Sequence, residues 1–231
     1  VDINKENEYK EYIEKIIKGK PVQYITNNQE FMKLNFYVDE NVLIPQPDTE
    51  ILVEKVIKSI DIMENIEILD MCTGSGCVGI SLAKNIKNTK VTLVDISKEA
   101  IEIAKKNAIQ NEVENKITFI QSDMFENVKG KFDIIVSNPP YIKTNIIQTL
   151  DKQVQNEPHI ALDGGEDGLD FYKILINEAH KYLKKDGKIF LEIGYDQKQE
   201  VESLAKQSKH YKKIETIKDL SQNDRVIILE C

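Results

Sequence analysis

Ile66-Glu67-Ile68-Leu69-Asp70-Met71-Cys72-Thr73-Gly74-Ser75-Gly76 is the stretch that decides the fold. Ile66 to Met71 reads as a short strand, apolar on both faces, from a sheet covered on both sides. Asp70 to Gly76 turns the chain, and a helix over 77–87 follows. Glycines in such a turn let the backbone pass close to a ligand, and the helix start offers free N–H groups. A lone Gly-x-Gly is weak evidence, since a tight β–α turn needs the same residues. Its context adds weight. Asp95 ends the next strand, at a separation from Asp70 similar to the spacing of about 20 residues at which an acid meets ribose hydroxyls in nucleotide-binding units.

The same rhythm runs outward. Strands are predicted at 66–71, 90–95, 117–121, 132–137 and 187–193, and helices at 77–87, 98–111, 168–184 and 196–208. Alternation of this kind implies a doubly wound α/β sheet. Residues 211–218 and 225–230 are strand-like, with the turn Ser221-Gln222-Asn223-Asp224 and no room for a helix between them, so they should pair antiparallel. Upstream, Tyr9, Ile13, Ile16 and Ile17 mark a helix that Gly19 and Pro21 stop. Tyr24-Ile25-Thr26 and Glu30-Phe31-Met32-Lys33-Leu34 read as a hairpin turning at Asn27-Asn28. Asp48 or Thr49 is expected to cap a helix bearing Ile51, Leu52, Val53, Val56 and Ile57. Residues 142–167 form a long irregular connection, of the kind that is usually functional or mobile.

The 231 residues are 41% hydrophobic and 30% charged, ordinary for a globular protein. A net charge of −8, from 39 acidic against 31 basic residues, argues against broad binding to a nucleic-acid backbone. Cys72, Cys77 and Cys231 make neither a disulfide framework nor a metal-ligand pattern, so no metal is expected and a reduced, cytoplasmic setting is. No stretch approaches the run of about 20 apolar residues that spans a membrane. His159, His180 and His210 are scattered, which fits surface or packing roles.

The turn at 72–76 departs from a dinucleotide fingerprint. It lacks the third glycine, and Asp70 is an anion where a pyrophosphate site would prefer none. A carboxylate here suits a cationic ligand such as an amino-acid ammonium. S-adenosyl-L-methionine carries that ammonium with a ribose and an adenine. Asp123-Met124 ends the third strand, where Met124 could pack on the adenine and Asp123 could accept from its amino group. A second chemical signal follows the strand at 132–137: Asn138-Pro139-Pro140-Tyr141. Two prolines remove two backbone donors and lock two φ angles. The rigid turn that remains suits a flat group bearing an NH2: the Asn138 oxygen and the Pro139 carbonyl accept its N–H bonds, and Tyr141 stacks on it. A proline-rich turn ending a strand is the plainer alternative.

Taken together, these residues resemble the class I S-adenosylmethionine-dependent methyltransferases. The resemblance narrows through motifs that recur in one order: Pro21-Val22-Gln23-Tyr24-Ile25, Val42-Leu43-Ile44-Pro45, Pro47-Asp48-Thr49-Glu50, Asp70 with Thr73 to Gly76, Ser137 to Ile142, Glu157-Pro158, Gly164-Gly165 with Asp167-Gly168-Leu169, Leu191-Glu192-Ile193-Gly194, and Lys218-Asp219-Leu220 through Asp224-Arg225. This order is similar to that of the peptide chain release factor glutamine methyltransferases. The resemblance implies a Rossmann-like, mostly parallel methyltransferase sheet over 46–231 with an antiparallel strand at its C-terminal end. It implies a hairpin and linker over 21–45 and, over 1–20, the remnant of a small helical domain that helps dock the release factor. Most of that domain is expected to be missing from this chain. The implied substrate is the glutamine of the Gly-Gly-Gln loop in release factors, with no membrane and no direct nucleic-acid partner. Asp70, Cys72, Thr73, Gly74, Ser75, Gly76, Asp95, Asp123, Met124 and Asn138 would bind S-adenosyl-L-methionine. Asn138, Pro139, Pro140 and Tyr141 would hold the substrate, with Asn138, Pro139 and Tyr141 catalytic. The rivals are a ribosomal-protein glutamine methyltransferase, an adenine-N6 DNA methyltransferase and a non-catalytic S-adenosylmethionine-binding subunit. Two residues depart from the family pattern. Gln46 stands where an arginine is usual, and Cys72 replaces a glycine whose backbone freedom it does not readily share.

Overall fold

Apolar side chains alternate between two layers along each central strand, and this alternation sets the architecture. The structure is a computed structural model and describes residues 3–60 and 65–231. In chain order, α1 (Ile3–Ile17) and the single turn α2 (Val22–Thr26) precede the hairpin β1 (Gln29–Phe31) and β2 (Leu34–Phe36). A 3-10 turn at Pro47–Thr49 opens α3 (Glu50–Ser59). Then come β3 (Ile66–Met71), α4 (Cys77–Asn85), β4 (Thr89–Asp95), α5 (Lys98–Gln110), β5 (Ile117–Gln121) and β6 (Phe132–Ser137). Three short helical turns follow, α6 (Thr144–Ile147), α7 (Lys152–Gln155) and α8 (His159–Leu162). The chain closes with α9 (Asp170–Glu178), β7 (Leu183–Glu192), α10 (Lys198–Ser208), β8 (Lys213–Lys218) and β9 (Asp224–Glu230).

Seven strands form one sheet in the order β5-β4-β3-β6-β7-β9-β8. The first five are parallel, and β9 runs antiparallel to both β7 and β8. Ile66, Ile68, Val136 and Phe190 point into one buried layer with Leu52, Val56 and Ile80 from α3 and α4. Leu69, Ile135, Ile189 and Leu191 point into the other, with Tyr172, Leu175 and Val201 from α9 and α10. Covering both faces in this way is what the near-continuous apolar strands require.

The sheet and the antiparallel C-terminal pair match the sequence reading, and several local expectations change. Residues 24–26 are helical, not extended. Pro21 precedes α2 and presets its entry, because proline starts a helix as readily as it ends one. The hairpin turns at Met32 and Lys33, whose φ angles of 51° and 62° suit a primed two-residue turn, and not at Asn27-Asn28. The connection over 142–167 is built from helical turns. The helix predicted at 168–184 stops at Glu178, and β7 begins earlier than expected, at Leu183. Neither Asp48 nor Thr49 caps α3 through its side chain. Both are drawn instead toward the sheet edge described below. Tyr9 and Ile17, from the predicted apolar stripe of α1, are exposed. No helix among the described residues is long and apolar enough to cross a membrane.

Gly79 holds α4 against the sheet. A Cβ there would lie 2.2 Å from Leu93 Cδ2 and 2.9 Å from Asp70 Oδ2. Gly79→Ala is expected to cost about 1–3 kcal/mol by overpacking this contact, measured by denaturant unfolding. An unchanged midpoint would show that α4 sits more loosely on β3 and β4 than this.

Candidate functional site

The strand order reverses between β3 and β6, and at such a point the loops leaving neighbouring strands diverge and open a crevice. Met71 pairs with Ser137 in parallel register, and the Ser137 hydroxyl donates to the Met71 carbonyl at 2.7 Å. The turn after β3 and the Asn138 turn after β6 therefore start from adjacent points at the carboxyl edge of the sheet.

A cavity of about 380 Å³ opens there. Asp70, Cys72, Thr73, Gly74, Ser75, Asp95, Asp123, Met124, Asn138 and Pro140 all line it. Gly76 does not; its αL backbone (φ 82°) starts α4, and a Cβ would lie 2.7 Å from Ile80 Cδ1, so its smallness serves packing behind the loop. Cys72 takes a φ of 61°, the left-handed conformation that a cysteine does not readily adopt. Its Sγ lies 4.0 Å from Met124 Sδ, and burial drives its thiol pKa upward.

Asp70 is 1% exposed, and its Oδ2 accepts from Thr73 Oγ1 at 2.7 Å and Gly79 N at 2.9 Å. Burial outweighs these bonds and raises its carboxyl to about 7. Asp95 braces the loop: Oδ2 accepts from Gly74 N at 2.8 Å and Oδ1 from Ser97 N at 2.9 Å. Each oxygen keeps a lone pair for a hydroxyl ligand. Ser97 caps α5 by accepting from Ala100 N at 3.1 Å.

A smaller cavity of about 180 Å³ adjoins the first, with Pro139, Tyr141, Ile142 and Glu157 in its wall. Leu43, Gln46, Asn138 and Ala161 line both spaces. The Asn138 turn is clamped from behind. Gln197 Nε2 donates to the Tyr141 carbonyl at 2.9 Å and to the Gly168 carbonyl at 3.0 Å. Gly164 and Gly168 press on the same backbone: a Cβ would meet Tyr141 Cα at 2.7 Å or the Tyr141 carbonyl oxygen at 2.6 Å.

Sequence reasoning missed several members of the site. Thr49 Oγ1 accepts from Asn138 Nδ2 at 3.2 Å. Glu192, 2% exposed at the end of β7, has its carboxyl raised to about 7 by burial, while the Thr49 and Tyr141 hydroxyls and the Arg225 charge hold it down. Arg225 bonds Asp219 at 3.2 Å and Asp48 at 3.1 Å. Glu157 Oε2 accepts from Ile44 N at 2.9 Å, and burial raises this carboxyl to about 7 as well. The signal for Glu192 was a carboxylate set within the apolar run Ile189–Ile193. His159, His180 and His210 line neither cavity; His180 and His210 stack on each other at 3.6 Å.

Comparison with known proteins supports this reading of the fold. Residues 46–156 match the family model "Methyltransferase small domain". The chain is similar in fold to a methyltransferase from Pyrococcus furiosus, with a TM-score of 0.65 and 20% identity over 94% of this chain and 95% of that one. It is 43% identical to the release factor glutamine methyltransferase of Clostridium acetobutylicum over 99% of this chain and 81% of the relative. It is 43% identical to that of Thermodesulfovibrio yellowstonii over 96% of this chain and 80% of the relative. With this similarity along nearly its whole length, the chain belongs to the release factor glutamine methyltransferase family.

Proposed function

We propose that this chain transfers the methyl group of S-adenosyl-L-methionine to the side-chain amide nitrogen of the glutamine in the Gly-Gly-Gln segment of peptide chain release factors. The observation that carries this reading is the position of Asn138, in the wall common to two adjoining cavities. The larger space suits the cofactor and the smaller one the incoming side chain.

The residues present fit S-adenosyl-L-methionine. The buried Asp70 carboxyl, with both of its bonds on Oδ2, offers Oδ1 to an ammonium. Asp95 offers its carboxylate to the ribose, while Met124 and Asp123 border the space for a base. Bound there, the cofactor supplies an electrophilic methyl group on a sulfonium.

An amide nitrogen is a weak nucleophile because its lone pair is delocalised into its carbonyl. Asn138 Oδ1 and the Pro139 carbonyl accept its two N–H bonds and fix the amide plane. The face of Tyr141 supports that plane. The turn thereby aims the nitrogen, and its contribution is positioning together with fixed dipoles. The proton leaves after methylation, when the nitrogen is far more acidic, so the turn needs no strong base. Asn138→Ala is expected to reduce turnover by about 10²-fold with cofactor affinity little changed. Mass spectrometry of purified release factor incubated with this protein and S-adenosyl-L-methionine reads the result as one added methyl on the Gly-Gly-Gln glutamine. Methylation confined to a ribosomal protein or to DNA, or full activity without the Asn138 amide, overturns the reading.

Asp70 gives a second test. A carboxyl raised in the folded state binds protons that the unfolded chain has already released. Ionising it therefore lowers the stability of the ligand-free protein as pH rises from about 4 through 7. Asp70→Asn removes that loss, so its stability relative to the parent should grow between pH 5 and pH 8. The same change removes the ammonium partner and should weaken cofactor binding by about 10-fold or more. Thermal melts across pH and calorimetric titration measure the two effects. Equal cofactor affinity in Asp70→Asn would dismiss Asp70 as the ammonium site.

A further inference from the structure

We propose that Tyr24 and Glu157 are positioning residues that clamp the backbone on either side of Leu43 and so fix the segment Asn41–Gln46 as the wall common to both cavities. The proposal rests on the reading that the larger cavity takes the cofactor and the smaller one the substrate side chain.

The segment lies between β2 and the 3-10 turn at Pro47–Thr49, outside any strand. Its backbone polar groups have no ladder to join, so partners must come from elsewhere. The Tyr24 hydroxyl donates to the Val42 carbonyl at 2.6 Å. The Ile44 N–H donates to Glu157 Oε2 at 2.9 Å. These two backbone groups flank Leu43, the carbonyl before it and the N–H after it. Val42 and Ile44 are 1% and 5% exposed and pack in one cluster with Tyr24, Ala100 and Ile103. Leu43, between them, lines both cavities, as does Gln46. Asn41, Val42 and Pro45 add to the wall of the larger one.

The clamps come from separate parts of the chain. Tyr24 stands on α2, and Glu157 belongs to the connection after the Asn138 turn and lines the smaller cavity itself. The approach to the segment is tied to the cofactor loop as well. Asn107 of α5, 0% exposed, accepts from Tyr37 N at 2.7 Å and donates to the Tyr37 carbonyl at 3.0 Å and the Ser75 carbonyl at 2.8 Å. One stretch of backbone is thus pinned to the loop at 72–76 at one end and to the wall of the smaller cavity at the other. Pro21–Ile25, Val42–Pro45 and Glu157–Pro158, far apart in sequence, thereby meet in one place. A loop that needs only hydrogen bonds can take them from water, and a carboxyl that is 8% exposed is a costly acceptor for a single N–H. A carboxyl oxygen accepts whether the group is ionised or neutral, so the clamp does not depend on the charge of Glu157.

Glu157→Gln keeps an oxygen for the Ile44 N–H. Glu157→Leu removes it, and Tyr24→Phe removes only the hydroxyl. Calorimetric titration with S-adenosyl-L-methionine should give a dissociation constant about 10-fold higher in Glu157→Leu and Tyr24→Phe, and within about threefold of the parent in Glu157→Gln. The Ile44 amide should exchange with deuterium about 10-fold faster in Glu157→Leu and at the parent rate in Glu157→Gln, while the amides of β3 and β6 stay protected in both. In the methylation assay, KM for release factor should rise about 10-fold in Glu157→Leu with kcat within about threefold, the opposite split from Asn138→Ala. Titration and exchange need no release factor, so they judge the clamp even if the parent methylates none, an outcome that would overturn the proposed function alone. If Glu157→Leu does not fold, Tyr24→Phe carries the same test with the loss of one oxygen. Unchanged cofactor affinity in Glu157→Leu and Tyr24→Phe overturns the proposal and leaves both residues as mere partners of a loop backbone. So does a Glu157→Gln protein as impaired as Glu157→Leu, since the carboxyl would then act otherwise than through the Ile44 N–H.

Discussion

Everything at the site depends on two parallel strand ends lying side by side. Met71 and Ser137 are register partners, joined by the Ser137 hydroxyl as well as by the ladder. The strands adjacent to them lead away in opposite directions, so nothing in the sheet fills the space above this seam. The loop carrying Asp70 to Gly76 and the turn carrying Asn138 to Tyr141 emerge from the same spot with no further element needed to bring them together. The proximity of the two loops thus follows from strand order.

Holding that seam is costly in one respect. Asp70, Glu157 and Glu192 are buried carboxyls, each raised to about 7 by loss of water. Purely structural design would replace such groups with apolar ones of similar volume. Asp70 and Glu157 each line one of the two adjoining cavities, and raised carboxyls of this kind are more frequent at functional sites than in packed cores. The glycines at 164 and 168 and the Gln197 side chain show the other half of the arrangement, a rigid backing pressed against the backbone of a turn whose prolines have no N–H to donate.

Much of this was legible in the sequence, for a physical reason. Strands buried on both faces produce short apolar runs, and Ile66–Met71 and Phe132–Ser137 were readable because polar residues interrupt them only near their starts, at Glu67 and Asp133, which pair with Lys184, and near their ends, at Asp70 and Ser137. The Asp70 loop and the Asn138 turn could be found because their residue types are poor scaffolding. The errors have equally local causes. Residues 24–26 form a helical turn because Pro21 sets φ at its entrance, while Tyr24 reaches across to the Val42 carbonyl at 2.6 Å. Cys72 accepts a left-handed backbone because tertiary contacts outweigh its own preference. Thr49 and Glu192 were opaque for another reason. They lie far apart in the chain, and each meets its partner, Asn138 for Thr49 and Tyr172 for Glu192, only in the folded sheet, which no periodicity encodes.

The position of β9 bears on the order in which the molecule is made. The last strand in the sequence is not the last in the sheet: it is inserted between β7 and β8 and pairs with both. Until residues 224–230 leave the ribosome, β7 presents an unpaired edge, and β8 has no neighbour. Arg225 sits on this strand, so its bonds to Asp48 and Asp219 form only then. A nascent chain can therefore assemble the loop at 70–76 well before the region around Glu192 is complete. Synthesis itself separates the seam at Met71 and Ser137 in time from the ion pairs that β9 completes behind it.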